Sequence, residues 1–205
     1  MPVMPRWCRV GGATRAVALR DRDDRLVGVD ESLRNRLRAA FAWRGTEGFA
    51  DVSGWWADPE ILREIGPALA DLHRDARPTL IAGVEAVGFL LGPLVATALG
   101  VGFVEVRKGL VEAHIGDRVA LRATPPDYNE RDLTVGVRRR LFRFRERVLL
   151  VDEWITTGAQ VTAVRRIIDD LACDFLGVAV VVDATDNNVR RDLNVRSLLS
   201  LHELR

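Results

Sequence analysis

Two adjacent carboxylates, Asp152 and Glu153, follow the apolar run Val148 to Val151 and precede Thr156, Thr157 and Gly158. Hydroxyls and main-chain amides from Thr156 to Gln160, at the start of a helical pattern, can surround an anion with help from the helix dipole. The acids cannot hold that same anion, because like charges repel. They suit sugar hydroxyls, each of which can donate to a carboxylate. A diol site beside a phosphate nest describes a ribose 5-phosphate. A solvated acid pair ahead of an ordinary capped helix is the plainer alternative, and the residue types alone leave both open.

Two other clusters end apolar runs in the same way. Glu85, Ala86, Val87 and Gly88 follow the run at Thr79 to Ala82, and Arg107 and Lys108 follow the run at Val101 to Val106. Arginine and lysine together can neutralise a concentrated anion, and Gly88 lets a backbone approach a ligand at a helix start. The bland alternatives are that Glu85 caps the helix and that Arg107 and Lys108 are solvated strand ends. Lys108 is the only lysine in the chain, although the sequence holds 30 cationic residues. A bias towards arginine accounts for most of that skew but assigns no work to the lysine that remains.

The elements that must position these residues are legible in the hydrophobic pattern. Short apolar runs at Thr79 to Ala82, Val101 to Val106, Val148 to Val151 and Leu176 to Val182 are separated by helical patterns at Gly88 to Leu99 and Gln160 to Leu171. A further run at Val195 to Leu201 reads as an edge strand. This alternation predicts an α/β fold with a central, mainly parallel sheet flanked by helices, whose ligands belong at the carboxyl ends of the strands. Upstream, residues 16–29 read as a hairpin, and Asp30 or Ser32 caps a helix with Leu33, Leu37 and Phe41 on one face. A glycine-marked loop at Gly45 to Gly54 precedes a helix opened by Asp58-Pro59-Glu60, with Ile61, Leu62, Ile65, Leu69 and Leu72 as its stripe.

The segment from Val148 to Gln160 resembles the phosphoribosyl pyrophosphate (PRPP) signature of type I phosphoribosyltransferases. The resemblance implies that Asp152 and Glu153 hold the ribose hydroxyls and that Thr156, Thr157, Gly158, Ala159 and Gln160 hold the 5-phosphate. Ile81 to Gly92 is similar to the pyrophosphate loop of the adenine-type members, which implies that Glu85, Ala86, Val87 and Gly88 meet pyrophosphate. Gly100 to Lys108 is similar to the strand that carries that subfamily's Arg-Lys pair, here Arg107 and Lys108. Phe49 to Val52 and Ala57 to Glu60 resemble its base-covering hood. The likeness runs from about Phe49 to Val182 and implies a core at 49–205, a hood at about 49–60, a flexible loop at about 109–132, and an added hairpin and helix at 1–48.

The chain also departs from the pattern. Val87 stands where the adenine-type loop has arginine, which removes one side-chain contact to pyrophosphate. Asp127-Tyr128-Asn129 stands for a Glu-Tyr-Gly element of the mobile loop; by carry-over, Asp127 moves a proton at the base and Tyr128 helps close the lid, the plainer alternative being that Asp127 is an exposed turn acid. Glu153 replaces a common aspartate, and Trp154 replaces a small aliphatic residue. Trp154 either presents an apolar face to a nucleobase or packs under the loop; Phe49, Trp154 and Tyr128 are the base-binding candidates. The expected activity is transfer of the 5-phosphoribosyl group from PRPP to a purine base, adenine first. A non-catalytic PRPP-binding regulatory protein and a transferase for a non-purine acceptor are the alternatives.

Composition bounds the rest. With 205 residues, 48% apolar and 29% charged, the chain can bury a core. A formal charge of +1 argues against a general nucleic-acid or membrane-surface binder. The arginines at 138, 139, 140, 143, 145 and 147 read as a solvated or interface surface rather than a nucleic-acid patch. Cys8 and Cys173 are too far apart in sequence to form a metal-spaced cluster, and the three histidines are scattered, so zinc chemistry is not expected. The cysteine usage suits a reducing cytoplasm, and no apolar run is long enough to span a bilayer. Magnesium is expected to arrive with PRPP, held mainly through the substrate rather than by direct protein ligands. The resemblance implies a homodimer.

Overall fold

A computed structural model describes residues 30–46, 48–109, 118–124 and 134–205. The hairpin expected at 16–29, together with Asp127 and Tyr128, lies outside the described residues. In chain order the elements are α1 (Glu31–Ala39), β1 (Ala42–Arg44), β2 (Phe49–Asp51), α2 (Ser53–Ala57), α3 (Pro59–Asp71), β3 (Leu80–Val84), α4 (Gly88–Leu99), β4 (Gly102–Lys108), β5 (Val119–Ala123) and β6 (Thr134–Arg138). They continue with β7 (Arg147–Ile155), α5 (Ala159–Asp170), β8 (Asp174–Asp183), α6 (Asn187–Asp192) and β9 (Val195–Ser200).

The four apolar runs become β3, β4, β7 and β8, joined by β9 in a parallel array. Beyond β4, β6 and β5 add as antiparallel strands, giving the order β5-β6-β4-β3-β7-β8-β9. Alternate residues of the strands build two cores, one on each face. Leu80, Ala82, Val104, Val106, Val148 and Leu150 pack with Val164, Ile167 and Ile168 of α5. Ile81, Leu149, Val151 and Ala179 pack on the opposite face with α3 and α4 residues such as Ile65, Leu69, Leu91 and Val95. The expected mainly parallel α/β sheet is therefore present. Among the described residues no helix is long and apolar enough to cross a membrane.

The helix starts follow their capping residues. Asp30, not Ser32, caps α1 by accepting from the Ser32 amide at 2.9 Å. Asp58 caps α3 by accepting from the Glu60 and Ile61 amides at 2.8 and 3.2 Å, with Pro59 in the first turn where no donor is needed. Leu62 is 38% exposed, so the buried stripe of α3 runs through Ile61, Ile65 and Leu69 without it.

Two local expectations change. The stretch from Gly45 to Gly54 is not simply a loop: β1 and β2 pair antiparallel as a ribbon, with Trp43 opposite Ala50, and α2 follows. This ribbon straddles residue 48. The acid pair also does not follow its strand but lies within it, because β7 runs on to Ile155. The reason is the partner strand. β3 leaves β7 at Val151, whereas the longer β8 pairs with it through Asp152, Trp154 and Ile155.

Candidate functional site

The carboxyl ends of β3, β4 and β7 lie side by side, with β3 between the other two. The register places Val84 opposite Val106 and Gly83 opposite Val151. Glu85, Arg107 and Lys108, and Asp152 therefore emerge from three neighbouring strands at one edge of the sheet. Strand pairing thus brings together all three sequence clusters.

Asp152 extends the sheet face that carries Val148 and Leu150, the α5 side. Its Oδ1 accepts a hydrogen bond from the Glu153 amide at 3.0 Å. Burial of this carboxyl raises its pKa well above the ordinary carboxylate value, and the neighbouring Glu153 side chain raises it further by hydrogen bonding and like-charge repulsion. The Lys108 ammonium opposes that shift. Asp152 and Lys108 thus interact across the site. The two adjacent carboxyl groups offer oxygens that can accept from hydroxyl donors or hold a cation.

After Ile155 the chain turns through Thr156 and Thr157 into α5. Its N-cap is Gly158, with φ of +71°. A side chain there would be strained, and a Cβ would lie 2.6 Å from Leu193 Cδ1 and 2.9 Å from Val189 Cγ1. With glycine at the cap, no side chain caps the helix. The Thr157 hydroxyl accepts only a long hydrogen bond, 3.4 Å, from the Ala159 amide. The first-turn amides, the Thr156 and Thr157 hydroxyls and the start of the helix dipole lie together at this turn, the arrangement an anion nest would need.

Across the site, the turn from Glu85 to Val87 leads into α4 at Gly88. The Glu85–Ala86 peptide bond is cis. Gly83 and Gly88 pack backbone to backbone: a Cβ on Gly83 would lie 2.2 Å from the Gly88 carbonyl oxygen. Glu85 does not cap α4. Its amide donates to the Val106 carbonyl at 3.0 Å, and its carboxylate accepts from the Lys108 amide at 2.9 Å. Val87 packs its side chain against the α3–α4 core.

Arg107 and Lys108 are consecutive strand residues and point to opposite faces. The Arg107 guanidinium donates to Glu105 at 2.7 Å and lies 5.4 Å from the centroid of the Phe89 ring. Glu105 also pairs with Arg138 at 3.7 Å, and these cations hold its carboxyl below the ordinary range. Lys108 is exposed and shares the face of Asp152.

Trp154 packs against two aromatic side chains from the N-terminal part of the described residues. Its ring stacks on Phe41 with centroids 6.2 Å apart and meets Trp43 edge-on at 6.2 Å. Phe41 contacts Trp43 and Trp55 in turn, and Trp55 contacts Trp56. The Trp43 indole donates to the Leu204 carbonyl at 2.8 Å, and the Trp55 indole to the Leu37 carbonyl at 2.8 Å. Phe49 lies on the ribbon with 66% of its surface exposed. Sequence reasoning missed Phe41 and Trp43 as partners of the site strand. The available signal was density: three of the chain's five tryptophans lie between Trp43 and Trp56.

No protein-family model matches the chain. Among curated proteins, an adenine phosphoribosyltransferase from Leuconostoc citreum is 32% identical over 147 residues, covering 71% of this chain and 80% of that protein. One from Dinoroseobacter shibae is 33% identical over 157 residues, covering 74% and 85%. Among solved structures, adenine phosphoribosyltransferase from Trypanosoma brucei, in complex with AMP, pyrophosphate and ribose 5-phosphate, superposes with a TM-score of 0.69. That match has 25% identity and covers 84% of this chain and 81% of the other.

Proposed function

The chain belongs to the adenine phosphoribosyltransferase family, and on that premise we propose that it transfers the 5-phosphoribosyl group of PRPP to adenine. The observation that carries the reading is a juxtaposition on one sheet edge. The acid pair and the anion nest, joined through a single strand-to-helix turn, face the Glu85 to Gly88 turn and Lys108 on the neighbouring strands.

The reaction joins a ring nitrogen of adenine to C1 of the ribose as the C1–O bond breaks. Pyrophosphate leaves with the electron pair, the base gives up its N–H proton, and AMP results. Positive charge builds on the sugar ring while negative charge builds on the leaving group. The protein therefore acts mainly by holding the sugar still, neutralising the departing anion and keeping water out. Asp152 and Glu153 accept from the ribose hydroxyls. The turn from Thr156 to Gln160 takes the 5-phosphate through hydroxyls and amides. Lys108 supplies positive charge on the Asp152 face, and the main-chain amides of the Ala86 to Gly88 turn meet pyrophosphate. Arg107 adds cationic charge from the other face of β4.

The adjacent carboxylates of Asp152 and Glu153 are hard oxygen donors, of the kind magnesium accepts in ones or twos. The ion would enter with PRPP, held mainly by substrate oxygens and waters, and would supply charge neutralisation for the pyrophosphate. A cytoplasmic homodimer completes the proposal. The buried free thiol of Cys173 suits a reducing compartment, and Leu90, 54% exposed on α4, offers apolar surface to a second copy. Light scattering tests the dimer.

The deciding assay mixes the protein with PRPP, magnesium and a panel of bases, and follows pyrophosphate release. Turnover is expected with adenine. Tight PRPP binding with no release for any base would instead make the chain a PRPP-binding accessory protein, and release only with a non-purine would reassign the acceptor.

A further inference from the structure

Among the described residues, Asp183 is one of few buried charged side chains, with 3% of its surface exposed, at the carboxyl end of β8. The reaction gives it no part. Its Oδ1 accepts from the Thr185 amide at 2.8 Å and the Thr185 hydroxyl at 2.6 Å, and its Oδ2 accepts from Arg190 Nε at 2.5 Å. Both carboxylate oxygens are therefore engaged, and the pair folds the segment from Asp183 to Arg190 back on itself.

That segment touches the anion nest at both of its ends. At the strand end, Asp183 stands opposite Ile155, and the Ala184 amide donates to the Ile155 carbonyl at 2.9 Å. Thr156 and Thr157 begin immediately after that anchor. At the helix end, Val189 of α6 and Leu193 at its C-cap, on either side of Arg190, form the seat against which Gly158 packs. Arg165 of α5 also donates to the Asp192 carbonyl at 3.1 Å. The turn from Thr156 to Gly158 is thus held between two anchors, both on the segment that the Asp183–Arg190 pair closes.

We infer that Asp183 and Arg190 are positioning residues for the 5-phosphate turn. They fix the separation between its two anchors and hence the aim of the hydroxyls and amides that receive phosphate. The inference rests on the assignment of Thr156 to Gln160 as a phosphate site, but it concerns a different part of the chain. Neither residue needs to touch substrate. Breaking the pair leaves a buried carboxylate without its cation, while Arg190, 41% exposed along its side chain, can turn to water.

The test compares wild type with Asp183→Asn, Arg190→Met and Arg190→Lys. The readouts are thermal melting, steady-state kinetics, and calorimetric titration of ribose 5-phosphate. Asp183→Asn and Arg190→Met are expected to raise KM for PRPP and to weaken ribose 5-phosphate binding by about tenfold, as for a lost charge-assisted hydrogen bond. KM for adenine and kcat at saturating PRPP should stay within about twofold. Arg190→Lys, which keeps the charge, should recover most of the loss. A lowered melting temperature with unchanged PRPP KM and ribose 5-phosphate affinity would make the pair merely structural and overturn the inference. Equal losses for adenine and PRPP would do the same. Should Asp183→Asn fail to fold, Arg190→Met decides alone. Absence of adenine turnover in wild type would remove the proposed activity, and the ribose 5-phosphate titration would still decide the role of the pair.

Discussion

The Glu85 carboxylate accepts a hydrogen bond from the main-chain amide of Lys108 at 2.9 Å, across 23 residues of sequence. It ties the turn that precedes α4 to the last residue of β4, the two elements proposed to meet pyrophosphate. Glu85→Ala removes the tie. Net loss of one hydrogen bond to a charged acceptor near solvent is about 1 kcal/mol, so KM for PRPP should rise about fivefold. Glu85→Gln keeps an acceptor and should fall between that variant and wild type. Steady-state kinetics in PRPP check the order.

Lys108 shares a strand face with Asp152, whereas Arg107 is engaged with Glu105 and Phe89 on the other. Lys108→Met should therefore lower kcat/KM for PRPP by about 100-fold, the scale for one charged group that stabilises a leaving anion. Lys108→Arg should retain part of the activity, since a planar guanidinium follows a departing anion less freely than an ammonium. Full activity in Lys108→Arg would reduce the requirement to charge alone. Because Lys108 is the only lysine, an amine-directed reagent can modify just this side chain and the α-amino group. PRPP should protect it from labelling.

The strand ends that frame the site were legible because each apolar run is continuous and each is followed by residues of unusual chemistry. Three parallel strands then had to deliver Glu85, Lys108 and Asp152 to one edge. Side-chain direction was not legible. Arg107 and Lys108 read as one cationic pair until the pleat separated them, and Glu85 read as a possible helix cap until its register beside β4 became visible. The placement of Asp152 inside β7 depends on the length of β8, which lies in another part of the sequence. Trp154 could not be assigned from its neighbours, because its contacts, Phe41 and Trp43, come from the ribbon region more than 100 residues away. The Asp183–Arg190 pair had no local signal at all, since its importance lies in the Ile155 and Gly158 contacts.

Asp152 should make PRPP binding sensitive to pH. Burial first, then Glu153, raises its carboxyl pKa well above 3.8, so the free protein retains a proton there beyond the ordinary carboxylate range. Ribose hydroxyls and an accompanying cation favour the ionised form. Binding should then release a proton, and affinity should rise with pH until Asp152 is ionised in the free protein. Titrations in two buffers of different ionisation enthalpy measure the release. Asp152→Asn should remove the part of the release that Asp152 supplies, and should weaken binding most at the high-pH end, where the wild-type carboxyl is ionised.

The Phe41–Trp154 stack couples the ribbon to the site strand. Trp154→Ala opens a space among Phe41, Trp43 and the core beneath them, with a cost of about 3 kcal/mol on the scale of aromatic truncations. Trp154→Phe should recover most of it, because the stacked face survives. Urea denaturation measures both. If the ribbon is the cover of the base site, KM for adenine should rise in Trp154→Ala more than KM for PRPP.

His73 sets an acid limit on the fold at the opposite end of the sheet. Its ring is fully buried; Nε2 donates to the Val178 carbonyl at 3.1 Å, and Nδ1 meets no partner among the described residues. Burial, with Arg196 nearby, lowers its pKa from 6.5 to about 4. The unfolded chain binds a proton below 6.5, whereas the folded chain refuses it until about 4. Stability is therefore unaffected by this group above that window and falls as pH drops through it. The slope is about 1.4 kcal/mol per unit, for a total of about 3 kcal/mol. His73→Gln keeps a donor for Val178 without a titrating ring. Its melting temperature, plotted against pH, should fall less steeply than that of wild type across this interval. Parallel curves for the two proteins would mean that the acid transition belongs to other groups.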